Sequence, residues 1–180
     1  MASAAELLVN LLINSKDEYS EGLSTACHSY QAASLAKRAG ARSAVILATL
    51  FHDIGHAFAP DDTDGCGAAA HAQVGARVLH LLGFNRDVCE LVRQHANAKR
   101  YLVAIDQGYA SRLSPASRVT LKAQGGPMRP SEIREFEQLP LFIEMLQLRR
   151  YDDAAKDTSA PEPTRAQMLA LVQQQHRSRI

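Results

Sequence analysis

The stretch LFHDIGHAF, Leu50 to Phe58, puts two histidines and an aspartate where a core helix should simply continue. The run leading into it, Val45 to Phe51, is apolar all round, the mark of a central helix covered on every side. Working outward, Gly40 closes the preceding helix, which carries His28, Ala32 and Leu35 on one face. Downstream, HAQVGARVLHLLGF repeats apolar residues at Val74, Val78, Leu79 and Leu82 and stops at Gly83. Asn85 then caps a helix with Val88, Leu91, Val92, His95, Lys99 and Leu102 on one side. LSPASRVTLKAQGG offers Ser114 as a cap, Pro115 at the first helical position and glycine at the end. PLFIEMLQLRRYDDAAK sets Leu141, Met145, Leu148 and Asp152 at helical spacing, and the N-terminal MASAAELLVNLLINSK has Ser3 and Glu6 at capping-box spacing. With no internal repeat and no alternating strand pattern, an all-α single domain is expected over residues 1–156. After it, KDTSAPEPT reads as a linker to a short amphipathic helix with Met168, Leu169 and Val172, within 157–180.

Bulk properties narrow the function classes. A chain of 180 residues can bury a core without disulfide or zinc staples. Its 20 Lys and Arg against 19 Asp and Glu leave a net charge of +1 with no basic block, which argues against a nucleic-acid partner. Cys27, Cys66 and Cys89 are odd in number, widely spaced and without a CxxC pattern, so a reducing cytoplasm suits them. The N-terminal apolar stretch is too short to span a bilayer and lacks the features of a signal peptide, so no membrane partner is expected.

The chemistry lies where polar residues interrupt the apolar faces. His28 faces inward with Ala32 and Leu35, His71 with Val74, Gly75 and Val78, and His95 with Leu91, Val92 and Leu102. A lone histidine of this kind is usually hydrogen-bonded core. Several together with His52, Asp53 and Asp152 are different, because unpaired buried charges cost several kcal/mol each unless a cation compensates. An imidazole and carboxylate set without thiolate suits iron, manganese or zinc, with iron or manganese leading, and favours redox or hydrolytic work over a closed structural site.

The order His28, His52 with Asp53, then Asp152 fits the HD superfamily pattern, and His71 and His95 exceed its one-metal minimum. With Asp53 bridging, six residues can hold two ions, His28, His52 and Asp152 on one and His71 and His95 on the other. The expectation is an HD-domain helical bundle around a dinuclear metal site. Beyond the pattern, FHDIGH, HANAKRYL, LSPASRVTLKAQGGPM and LQLRRYDDAAK, spread from about Tyr19 to Lys156, resemble the matching blocks of the HD-domain mixed-valent diiron oxygenases that cleave organophosphonates, the PhnZ-like family. What the resemblance implies is a pair of irons resting as Fe(II)/Fe(III), a 1-hydroxyphosphonate substrate and O2 as co-substrate. The carbon-phosphorus bond breaks and phosphate is released; from (R)-2-amino-1-hydroxyethylphosphonate the other product is glycine. The resemblance also implies that His56, Lys99, Ser117, Thr120 and Gln124 touch the phosphonate. Read as residues, Lys99 lies one turn after His95 on the same face, and Ser117, Thr120 and Gln124 make a polar stripe that would otherwise be a solvated helix face.

The family places a tyrosine three residues ahead of a glutamate before the first ligand histidine, the tyrosine covering an iron when substrate is absent and the glutamate meeting the substrate amine. Here DEYSEGLSTACH has Glu21 at the expected distance from His28, Glu18 in the tyrosine's place and Tyr19 one residue late. Tyr19 is the candidate iron-covering residue. Glu21 either meets the amine or sits in a helix's first turn, where a carboxylate favours the dipole. Because the chain has no Trp for an aromatic cage, the primary amine is preferred over the alternatives, 1-hydroxy-2-(trimethylammonio)ethylphosphonate and hydroxymethylphosphonate. A metal-dependent HD phosphohydrolase and a non-catalytic HD module are the competing classes. PDDTDGCG, Pro60 to Gly67, reads as a solvent-facing loop at the site mouth, His80 as a surface residue, and Arg149 or Arg150 as a possible support for Asp152.

Overall fold

The computed structural model describes residues 3–15, 18–19, 22–59 and 69–177. Their order is α1 (Ala4–Asn14), β1 (Glu18–Tyr19), β2 (Leu23–Ser24), α2 (Thr25–Arg38), α3 (Ser43–Phe51), a 3-10 turn (Ile54–Ala57), α4 (His71–Leu81) and α5 (Arg86–Ile105). There follow α6 (Tyr109–Arg112), α7 (Pro115–Ala123), α8 (Pro130–Glu137), α9 (Phe142–Ala154) and α10 (Arg165–Arg177).

The central element is α3. Every residue from Ala44 to Phe51 is buried, and the one hydroxyl in that stretch, on Thr49, donates to the Val45 carbonyl at 2.7 Å. Helices α2, α5, α9 and α10 pack around it, while α4 lies along α5. Capping follows the sequence closely. The Ser3 and Glu6 box forms at α1, Ser114 accepts from the Ser117 amide at α7, and Asn85 accepts from the Asp87 amide at α5. At the end of α7, Gly125 and Gly126 both take positive φ, and the Gly126 amide reaches back to the Leu121 carbonyl at 2.8 Å, a helix stop that a residue with a side chain adopts only under strain.

The contact face of α4 is narrower than the valines predict. Its buried side is His71, Ala72, Gly75, Ala76 and Leu79, with Val74, Val78 and Leu82 half-buried at the flanks. Small residues let α4 come close to its neighbours, and the larger ones fill the edges. The strand pair is antiparallel, Glu18 opposite Ser24 and Tyr19 opposite Leu23, and two residues are too few to show alternation. Helix α10 buries Met168, Leu171 and Val172 in the same core as α1 and α3. The segment before it is pinned to α2: the Gln31 side chain donates to the Asp157 carbonyl at 2.9 Å and accepts from its amide at 3.1 Å, and Ser24 donates to Glu162 at 2.6 Å. No helix among the described residues is long and apolar enough to cross a membrane.

Candidate metal centre

Five elements deliver one ring of donors. His28 comes from the first turn of α2, His71 opens α4, His95 lies on the inner face of α5, and Asp152 lies in the last turn of α9. His52 and Asp53 sit where α3 stops, Asp53 in the bridge region of backbone space (φ −98, ψ 5) common at active-site residues. All six side chains are buried.

The imidazoles are fixed by backbone carbonyls. The Nδ1–H groups of His28, His52 and His95 donate to Ala155, Thr49 and Val92 at 2.9, 2.8 and 2.7 Å, which leaves each Nε2 as a lone pair aimed inward. The Nε2 atoms of His28 and His52 then face each other at 3.3 Å, and Asp152 Oδ1 lies 3.2 Å from the first and 3.6 Å from the second. Two ring nitrogens and a carboxylate oxygen at such distances repel unless positive charge, a proton or a metal ion, lies among them. A second group forms alongside. His71 and His95 bring Nε2 atoms to 2.9 Å, and Asp53 Oδ1 lies 3.4 and 3.6 Å from them. Asp53 Oδ2 meanwhile lies 3.1 Å from His52 Nε2, so one carboxylate faces both groups, one oxygen to each. The donor set fits two metal ions with Asp53 between them.

Electrostatics point the same way. Burial opposes charge on His52, yet Asp53 and Asp152 override it and hold its pKa well above the ordinary imidazole value. Burial likewise works against the Asp53 and Asp152 carboxylates; His52 draws Asp53 well below the usual range, and Arg149 with His52 does the same for Asp152. His95 is pushed down by burial. The two buried carboxylates thus call for positive charge at the centre, and His52 is the imidazole they most favour charging.

Beside these donors is a polar wall. Lys99 is 4% exposed, and its ammonium donates to Thr120 Oγ1 at 2.7 Å. Burial, then the nearby Arg149, lower its pKa to about 7 although Asp152, Asp53 and Asp153 pull it up. Ser117 and Thr120 are buried, so the stripe on α7 faces the protein interior next to α5 and is not a solvated face. Both amide atoms of Gln124 are buried without a hydrogen-bond partner among the described residues, a costly state unless a ligand completes it. His56 stacks on His71 with ring centroids 4.0 Å apart and brings Nε2 to 4.0 Å from Asp53 Oδ1, at the partly exposed rim.

A family model for the HD domain matches residues 25–130. The chain is 37% identical over 164 residues to 1-hydroxy-2-(trimethylamino)ethylphosphonate dioxygenase (glycine-betaine-forming) of Leisingera caerulea, covering 87% of this chain and 82% of that protein. It is 41% identical over 143 residues to hydroxymethylphosphonate dioxygenase of Gimesia maris, covering 77% and 70%. The chain belongs to the HD-domain oxygenases.

In this HD oxygenase the residues singled out from sequence fall into three groups. His28, His52, Asp53, His71, His95 and Asp152 converge as one cluster; His56 stacks on His71 beside it, Lys99 one turn after His95 binds Thr120, and Ser117 and Gln124 belong to the same helix and its C-cap as Thr120. Tyr19 is placed in β1 opposite Leu23, whereas Glu21 and the segment 60–67 lie outside the described residues. His80 is exposed. Sequence alone does not separate Arg149 from Arg150 as a support for Asp152; Arg149 is the one that is buried and binds Asp152, at 2.9 Å.

Proposed function

We propose that the enzyme cleaves the carbon-phosphorus bond of a 1-hydroxyphosphonate with O2, using two irons held as Fe(II)/Fe(III). The observation that carries this is Asp53 facing both donor groups, one oxygen to each, with a buried lysine one turn after His95 and an unsatisfied glutamine amide at the end of the helix that the lysine binds. His28, His52 and Asp152 would hold one iron and His71 and His95 the other, with Asp53 shared. Bound there, the irons supply redox chemistry toward O2 and a Lewis-acid site for the substrate's hydroxyl and phosphonate oxygens.

The protein's own residues supply recognition. The Lys99 ammonium lies at the end of a buried Lys99–Thr120 pair, where a dianionic phosphonate would hold its proton and relieve the cost of burying a charge. Gln124, Ser117 and His56 offer further donors to phosphonate oxygens. Tyr19 would cover an iron in the substrate-free state, and Glu21 would meet an amine on the substrate's other end. On that reading (R)-2-amino-1-hydroxyethylphosphonate is the preferred substrate. Adding O2 to it gives glycine plus phosphate with every atom accounted for and no outside reductant. A second reading, a trimethylammonium or a hydroxymethyl substrate, is favoured by the named activities of the two relatives.

The test is phosphate release from the three hydroxyphosphonates and from a phosphomonoester, with and without O2, by protein reconstituted anaerobically with iron. Oxygen-dependent release from a hydroxyphosphonate alone is expected, with a coupled Fe(II)/Fe(III) paramagnetic signal. Equal release from the phosphomonoester without O2 would establish a hydrolase instead. A larger kcat/KM for either alternative phosphonate would overturn the preference for the amine.

A further inference from the structure

Asp152 divides its two oxygens. Oδ1 faces His28 and His52, whereas Oδ2 is held at 2.9 Å by Nη1 of Arg149, three residues back on α9. Arg149 is itself 4% exposed and anchored on its other edges: Nε donates to the Tyr109 hydroxyl at 2.9 Å, and Nη2 pairs with Asp153. Tyr109 in turn donates to the other oxygen of Asp153 at 2.5 Å, closing a ring that leaves the guanidinium little freedom. Among the described residues, the two oxygens of Asp53 are both turned to histidines. The outer partners of His28, His52 and His95 are neutral carbonyls. Arg149 is thus a charged outer contact of the group formed by His28, His52 and Asp152.

We propose that Arg149 is a positioning residue that limits Asp152 to one-oxygen ligation and sets the reduction potential of the ion held with His28 and His52, favouring its reduced state. The physical basis is twofold. A carboxylate whose second oxygen is hydrogen-bonded to a cation donates less charge to a metal, and a fixed positive charge in a dry interior disfavours further loss of an electron nearby. Arg149 therefore sets a fixed charge beside the His28, His52 and Asp152 group before any substrate arrives, the kind of bias that a pair resting with two different oxidation states calls for. This inference rests on the diiron reading above.

The experiment uses the full chain, reconstituted anaerobically with iron, as wild type and as Arg149→Lys, Arg149→Gln and Asp153→Asn. Iron per chain is measured by elemental analysis, and the one-electron midpoint between mixed-valent and fully oxidised pairs by a redox titration followed by electron paramagnetic resonance. Arg149→Gln keeps a donor to Asp152 but removes the charge, and is expected to bind the same iron while the equilibrium shifts at least tenfold toward the oxidised pair, a fall of about 59 mV. Arg149→Lys keeps the charge and should restore most of the wild-type value. Asp153→Asn removes the anion that partly neutralises Arg149, so the midpoint should move the opposite way, and this arm still decides the matter if Arg149→Gln fails to fold. Unchanged midpoints at full iron content in Arg149→Gln, or no rise in Asp153→Asn, would overturn the proposal while leaving the diiron reading intact. Absence of a mixed-valent signal in the wild type would instead sink the diiron reading, and this inference with it.

Discussion

Replacing Gly55 by alanine tests whether the contact between the 3-10 turn and α4 builds the second donor group. A Cβ at Gly55 would lie 1.9 Å from the His71 carbonyl oxygen and 2.8 Å from the Gly75 amide nitrogen, backbone atoms that no side-chain rotation can move away. Extending that contact from 1.9 Å to the 3.0 Å below which real Cβ atoms are essentially never found parts the two segments by about 1.1 Å. Across the same gap run the 3.4 Å approach of Asp53 to His71 and the stacking of His56 on His71. A metal site tolerates ligand displacements of only about 0.2 Å, so binding by His71, His95 and Asp53 should fail long before the fold does. Overpacking of this kind costs roughly 1–3 kcal/mol, or about 2–12 °C in Tm at the roughly 2–4 °C per kcal/mol typical for this chain length. If the proposed dinuclear site holds two metals in the wild type, the expected variant is folded by circular dichroism, holds about one metal per chain and is inactive. Gly83→Ala is the control. It has positive φ but nothing within 4 Å of the new Cβ, so it should lose a little stability to backbone strain and keep both metals. Gly55→Ala with two metals and wild-type turnover would refute the reasoning.

Other outcomes follow from single contacts. Lys99→Ala should raise KM by roughly 10- to 100-fold, the value of a hydrogen-bonded charge in a buried site, with metal content unchanged by elemental analysis; loss of metal would mean the lysine is structural. Gln124→Met should be neutral or slightly stabilising in thermal melts, because its amide is unsatisfied in the free protein, yet KM should rise several-fold; a large fall in Tm would mean the amide had a partner all along. Truncation after Lys156 removes Met168, Leu171 and Val172 from the core, at roughly 1.5–3 kcal/mol each, together comparable to a whole domain's stability, so residues 1–156 should not fold alone. A cooperative melt from that fragment would show α10 to be an accessory.

The parts of the centre that sequence revealed share one property: a polar residue interrupting an apolar helix face. His28, His71, His95 and Asp152 stand out because the neighbours at helical spacing are buried residues such as Ala32, Leu91 and Met145, so the direction of the side chain follows from the helix itself. Ser117, Thr120 and Gln124 lack that frame. A polar stripe on a short helix reads the same whether it faces water or a cavity, and only the packing of α7 beside α5 decides it. The meeting of Gly55 and Gly75 is invisible for a related reason, since two glycines twenty residues apart have no periodic relation and meet only because the 3-10 turn crosses the start of α4. Helix α8 did have local signals, Pro130 at its first position and Glu132 accepting from the Arg129 amide at 2.9 Å.

The dependence of the site on its neighbours runs further than the donors. The strap from Ala155 to Glu162 takes the Nδ1 proton of His28 on one carbonyl and holds the side chains of Gln31 in α2 and of Ser24, its N-cap, through the next few residues. Because Asp152 lies three residues before that strap, a single continuous piece of chain sets both Asp152 and the tautomer of His28, the two donors that come from opposite ends of the sequence. A change at Asp157 or Gln31, far from any donor atom, therefore loosens the ring orientation of His28 first, and the affinity of one metal position before the other.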